Sequence, residues 1–206
     1  MTAACAWAGC GPGDVAPPEQ TAEGIRASIT ALPMPPSIDA SMPRYRVVTE
    51  MGDFVVAVTV DMVPRVADAF DRRARSGFYE GSVFHRTVPG ELIQVGKPVP
   101  GREDPVVGSF PVEGEAGPHG VGTVGIVRKE DPEALRGVPE RPEFIESSAR
   151  EFFVCIGRMP HLDGRYTMLG RVVEGLDVVR ELSKQGRGSQ IRQVVAPPRD
   201  EEGPKR

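Results

Sequence analysis

The chain has 206 residues, of which 39% are hydrophobic and 26% charged, enough for one packed domain with a tail. Its net charge of −4 and pI near 5.5 argue against a nucleic-acid binder, which needs a basic face. No run is long and apolar enough to span a membrane as a helix, and three cysteines (Cys5, Cys10, Cys155) without metal-ligand spacing make no disulfide framework.

Residues 1–43 are rich in Ala, Gly and Pro, and ALPMPPSIDASMP cannot hold a regular helix or sheet ladder. They read as a disordered tether or signal remnant. The opening MTAACAWAGC places small residues before Cys10 and resembles the lipidation box of bacterial lipoproteins. It departs from that box at Trp7, where Leu or a similar residue is usual, and no basic or fully apolar region precedes it. Lipid attachment at Cys10 and an accidental Ala/Gly-rich terminus both stay open. The first would put the protein in the cell envelope, which is preferred over the cytoplasm.

From Tyr45 the pattern changes. YRVVTEM and DFVVAVTV, joined by Gly52-Asp53, predict a β-hairpin. Val63–Ser76 carries Val63, Val66, Ala67, Phe70 and Ala74 at helical spacing, with Pro64 in the first turn and Gly77 at the end. Strands are predicted at Ser82–Thr87 and Glu91–Val95, divided by the Pro89-Gly90 turn. A loop-rich stretch from Lys97 to Gly120 follows, then a strand at Gly122–Val127. An acidic, Pro-rich excursion covers Arg128–Arg150. Strands at Glu151–Ile156, Tyr166–Val173 and Gln190–Val195, and a helix at Leu176–Lys184, complete the pattern, with a polar tail over 197–206. Many short strands with two helices predict a barrel or sandwich.

Several motifs lack the context their chemistry needs. Gly120-Val-Gly-Thr-Val-Gly125 fits GxGxxG, but no helix pattern follows it, so the nucleotide reading fails. His85, His119 and His161 share no metal-binding spacing, so no metal site is expected. His161-Leu-Asp163 has no nucleophile presented to it, and Cys155 in FFVCI reads as a small buried hydrophobe.

Phe78–Gly96, FYEGSVFHRTVPGELIQVG, places the always-charged fork of Arg86 near the amide of Gln94 across a tight turn. That pairing suits polarising a peptide group better than attacking one. The stretch resembles the cyclophilin signature. GTVGIV, EFFVCIG and PHLDGRYTMLGRVVEGLDVVREL resemble that family's second half in the same order, so the resemblance covers about Tyr45 to Val195. It implies a mainly β fold, a closed eight-stranded barrel capped by two helices, over a domain at 44–196. It implies a monomeric peptidyl-prolyl cis–trans isomerase that helps proteins fold, needs no cofactor and acts on proline-containing polypeptides. Arg86 matches the catalytic arginine and Gln94 the glutamine that holds it. Phe153, Leu162 and Leu92 match the proline pocket, with Leu92 in place of the usual methionine.

The remaining substrate-contact positions depart from the family. Glu91 replaces a pocket phenylalanine, where a carboxylate facing an apolar ring is costly. Glu151 replaces a glutamine, Val127 an alanine, and Arg128 stands near an asparagine that binds the peptide backbone. His161 and Tyr166 occupy positions that vary. These changes suggest that Glu151 clamps Arg86 in a bidentate pair and lowers activity. The alternatives are that Glu151 replaces glutamine's acceptor role, or that it selects a basic residue beside proline. Two functions therefore stand: an active isomerase, or a catalytically weak cyclophilin-like module that binds proline-containing segments or a partner protein.

Overall fold

Alternating and doubly apolar runs assemble into one curled antiparallel sheet of eight strands. The computed structural model describes residues 39–114, 117–128, 146–185 and 187–199. Most of the tether with Cys10, most of the acidic excursion and the end of the tail lie outside the described residues.

The strands are β1 (Arg44–Thr49), β2 (Gly52–Val58), β3 (Arg86–Val88), β4 (Leu92–Val95), β5 (Thr123–Ile126), β6 (Phe152–Cys155), β7 (Met168–Glu174) and β8 (Ile191–Val195). Their spatial order is β3-β4-β6-β5-β7-β2-β1-β8. Among the described residues β3 and β8 share no ladder, so the observed sheet is curled where a closed barrel was expected. One bridge, Val83 to Gln190, joins β8's entry to the segment before β3. Hydrogen bonds from Gly81 N to Ile191 O and from Phe84 N to Ser189 O flank it. The strand expected from Ser82 thus begins only at Arg86. The first hairpin also differs: Gly52 pairs with Thr49 inside the ladder, and the turn is Glu50-Met51.

Among the described residues two helices flank the sheet, α1 (Pro64–Arg75) and α2 (Leu176–Gln185). Pro64 starts α1, where its missing N–H costs nothing. Val66, Ala67, Ala69, Phe70 and Ala74 turn one face of it inward. Phe70 meets Tyr45 and Phe152 edge to face, with ring centroids 5.0 and 5.8 Å apart. Residues 197–199, the start of the polar tail, lie against α1: Arg75 donates to Pro197 O at 2.7 Å, and Arg199 to Asp71 at 3.2 Å.

The sheet buries both faces where β4, β5 and β6 meet. Ile93, Val95, Phe152 and Val154 point into the main core with Phe54, Phe70 and Leu169. Leu92, Phe153 and Cys155 point the other way and form a second apolar cluster with Met159 and Leu162. This double burial explains the unbroken FFVC run, because side chains on successive strand residues alternate between faces.

Candidate active site

The second apolar cluster floors a cavity of about 370 Å³ lined by strands β3, β4 and β6 and by loop residues, among them Val127 and Arg128 just past β5. Arg86 and Gln94 face each other across the β3–β4 ladder. Gly90, at φ +78°, makes the turn that sets this register, a conformation an L side chain rarely adopts. Leu92 and Gln94 share one strand face by their two-residue spacing. Phe153, opposite Gln94 on β6, supplies the floor. Its ring tip occupies space over β5 that is open because position 125 is glycine: a Cβ there would sit 2.1 Å from Phe153 Cζ. Leu162, in the short 3-10 turn Pro160–Leu162, closes one side.

Phe153 is held from behind and beside. His119 stacks on it at 5.8 Å and 29°, and Tyr166 meets it edge to face at 5.8 Å. Arg128 lies over the Tyr166 ring with Cζ 4.8 Å from the centroid. His119 is fully buried, and burial holds its imidazole below the ordinary histidine range despite Asp163 nearby. Asp163 accepts the His119 backbone N–H at 2.7 Å and pairs with Arg158. The HLD segment thus ties the loop after β6 beneath the pocket floor.

The electrostatics differ from the expected clamp. Among the described residues the Arg86 guanidinium has no hydrogen bond or ion pair, and its side chain is exposed. Glu151 instead accepts a hydrogen bond from Gln94 Nε2 at 2.9 Å, and its Oε2 lies 3.1 Å from His85 Nε2. Burial is the main force holding His85 below its ordinary pKa, and Lys97 adds to it while Glu151 opposes it. A carboxylate only accepts hydrogen bonds, so Glu151 fixes the Gln94 amide with its NH₂ toward Glu151 and its carbonyl turned away.

Nine of the eleven site residues read from the sequence line the cavity: Arg86, Gln94, Leu92, Phe153, Leu162, Glu151, Val127, Arg128 and Tyr166. Glu91 and His161 do not. Glu91 sits exposed at the end of the turn, where its carbonyl accepts Ile156 N at 2.7 Å and Gly157 N at 3.1 Å. β4 begins one residue later, which leaves the Glu91 carboxylate in water. His161 is likewise exposed, and its neighbour Leu162 turns inward. Two lining residues were not read as part of this site: His85, weighed only as a metal ligand, and Lys97. Each lies just outside a strand, where alternation gives no guide. The available signal was adjacency, since His85 precedes Arg86 and Lys97 follows Gly96, whose φ of +107° redirects the chain.

Comparison with known proteins gives this arrangement a family. A curated relative, peptidyl-prolyl cis-trans isomerase-like 3 of Mus musculus, is 29% identical over 66% of this chain and 79% of its own length. A probable peptidyl-prolyl cis-trans isomerase of Brucella abortus (strain 2308) is 29% identical over 70% of this chain and 74% of its own. A cyclophilin type isomerase of Cryptosporidium parvum, solved in the presence of the dipeptide Ala-Pro, shares the fold. Its TM-score is 0.60 at 21% identity, covering 75% of this chain and 99% of that one. The family model described as cyclophilin type peptidyl-prolyl cis-trans isomerase/CLD matches residues 44–199, and the chain belongs to that family.

Proposed function

We propose that the cavity binds a proline ring and that Arg86 catalyses cis–trans isomerisation of the preceding peptide bond. The observation that carries this is an unpaired guanidinium beside an apolar floor. The Arg86 donors are unoccupied among the described residues, next to Phe153, Leu92 and Leu162. The amide barrier is about 18–20 kcal/mol, and unaided X-Pro exchange takes roughly tens to hundreds of seconds. No bond need break. A hydrogen bond from Arg86 toward the prolyl nitrogen favours the twisted state, whose nitrogen is pyramidal, over either planar ground state. Gln94, held by Glu151, offers its carbonyl to a substrate N–H or to Arg86.

The domain assigned to this activity is 44–196, supported by the family match over 44–199. The Val83–Gln190 bridge supports reading the curled sheet as a barrel closed at that seam. The chain acts as a monomeric folding helper on proline-containing polypeptides, tethered through residues 1–43 and lipid-anchored if Cys10 is acylated. Intact mass of the natively expressed protein beside Cys10→Ser tests the anchor.

The test of catalysis is exchange NMR on an Ala-Pro peptide with wild type and Arg86→Ala. A wild-type rate equal to buffer rejects the enzyme, and a rate that survives Arg86→Ala rejects the mechanism. Arg128, stacked on Tyr166 at the pocket wall, favours a second reading as a weakly catalytic binding module. Peptide binding without turnover would establish it.

A further inference from the structure

The described lining of the cavity is richer in cations than the chain as a whole. The protein's net charge is −4, yet among the described residues Arg86, Lys97 and Arg128 line the cavity and Glu151 is the one carboxylate that does. Glu151 is also committed inward. It accepts Gln94 Nε2 at 2.9 Å and lies 3.1 Å from His85 Nε2. A carboxylate so engaged offers little to a cation on the substrate, which removes the sequence argument for a basic residue beside proline.

Two cations remain for the ligand. Arg86 has no partner among the described residues and lines the cavity, where the proposed mechanism assigns it to the prolyl amide. Lys97 is exposed at the same rim and carries no ion pair among the described residues. Its backbone is fixed, because Lys97 O accepts Ser82 Oγ at 3.1 Å and Gly96 cannot take a side chain without striking Arg150 O. The ammonium therefore hangs from a rigid point beside the proline pocket.

We propose that this site selects peptides with an acidic side chain next to the proline, and that Lys97 recognises that side chain. The inference rests on the isomerase reading of the same cavity. The charge of the whole chain repels acidic peptides, so such a preference can arise only from the local cations. Because Lys97 is exposed, the attraction is modest and salt-sensitive.

The test uses peptides identical except for Glu, Ala or Lys next to the proline, before it in one set and after it in the other. Exchange NMR on the full chain gives kcat/KM for each. In at least one set the Glu peptide is expected to exceed the Lys peptide about three- to fivefold at low salt, with the ratio shrinking at about 0.5 M salt. Lys97→Glu should invert that ratio. A wild-type ratio of one or below in both sets overturns the proposal, and so does a ratio that Lys97→Glu leaves unchanged. If the Ala peptides are not turned over above buffer, the isomerase reading fails by itself. NMR titration of the same peptides then decides the selectivity. Tighter binding of Glu peptides that Lys97→Glu abolishes supports it, and equal binding overturns it.

Discussion

Arg73 and Arg86 carry the same guanidinium in opposite settings. Arg73 on α1 is fully buried. Its Nε and Nη2 donate to Asp104 at 2.8 and 3.1 Å, its Nη1 donates to Ala149 O at 2.8 Å, and its plane lies over Phe78. Asp104 also accepts from Arg150 Nε, so the network fixes the chain just before Glu151 and β6. Ala149 within it holds φ +51°, an unfavourable conformation for alanine that the surrounding bonds maintain. Arg86 is exposed and uses none of its side-chain donors on the described residues. A guanidinium whose donors are spent internally supports structure, whereas one held open at an apolar pocket is available to a ligand.

The sharpest way to break this contrast is to remove each arginine and measure both folding and turnover. Arg73→Ala leaves half-buried Asp104 with Arg150 alone and takes the donor from Ala149 O, and a loss of about 2–4 kcal/mol is expected in urea unfolding. A stability within error of wild type would show that the network carries nothing. Arg86→Ala should instead leave stability within about 0.5 kcal/mol. Its kcat/KM on an Ala-Pro peptide should fall about 10²- to 10³-fold, the usual cost of losing one preorganised donor.

Glu151→Gln sharpens the comparison within the site. With Glu151 bonded to Gln94 and no clamp on Arg86, turnover is expected to change by less than about threefold, the scale of one partly exposed hydrogen bond. A rise well beyond that would mean the carboxylate restrains Arg86 during catalysis.

The two regions should also separate by pH. Burial alone would raise the Asp104 carboxyl, but the hydrogen bonds from Arg73 and Arg150 outweigh it and hold it below its ordinary value of 3.8. Its contribution to stability is present above pH 3.8 and lost as pH falls through the depressed value in the folded state. His85 and His119 are held below the ordinary 6.5 chiefly by burial. The unfolded chain then binds more protons near pH 6, so stability should drop as pH falls from 6.5 toward the folded values. Urea unfolding from pH 8 to pH 3 should show both steps. His119→Phe should shrink the upper step to the share that His85 contributes and leave the lower one, and a single step below pH 4 in the unmodified protein would overturn the histidine assignment.

Much of the site was legible because the chain resembles the cyclophilin signature, which names Arg86, Gln94, Leu92 and Phe153. Strand alternation adds only that Leu92 and Gln94 share one face of β4 once the Pro89-Gly90 turn has set the register. Legibility failed at strand ends. Glu91 reads as a pocket residue by motif position, yet it lies one residue outside β4 and turns to water. Lys97 and His85 fall outside the strands and reach the cavity through turns that no periodicity announces.

By itself the sequence determined the family, the eight strands with two helices, and the arginine–glutamine pair across one hairpin. Those follow from local propensities and from residues close together in the chain. Only the tertiary structure decided where Glu151 spends its charge, because its partners Gln94 and His85 come from strands and loops far away in sequence. The same holds for Arg73, which reads as one more basic residue at a helix end and becomes the buried centre of a network. The type of a charge is local, but its partner and its exposure to solvent are fixed only when distant segments pack.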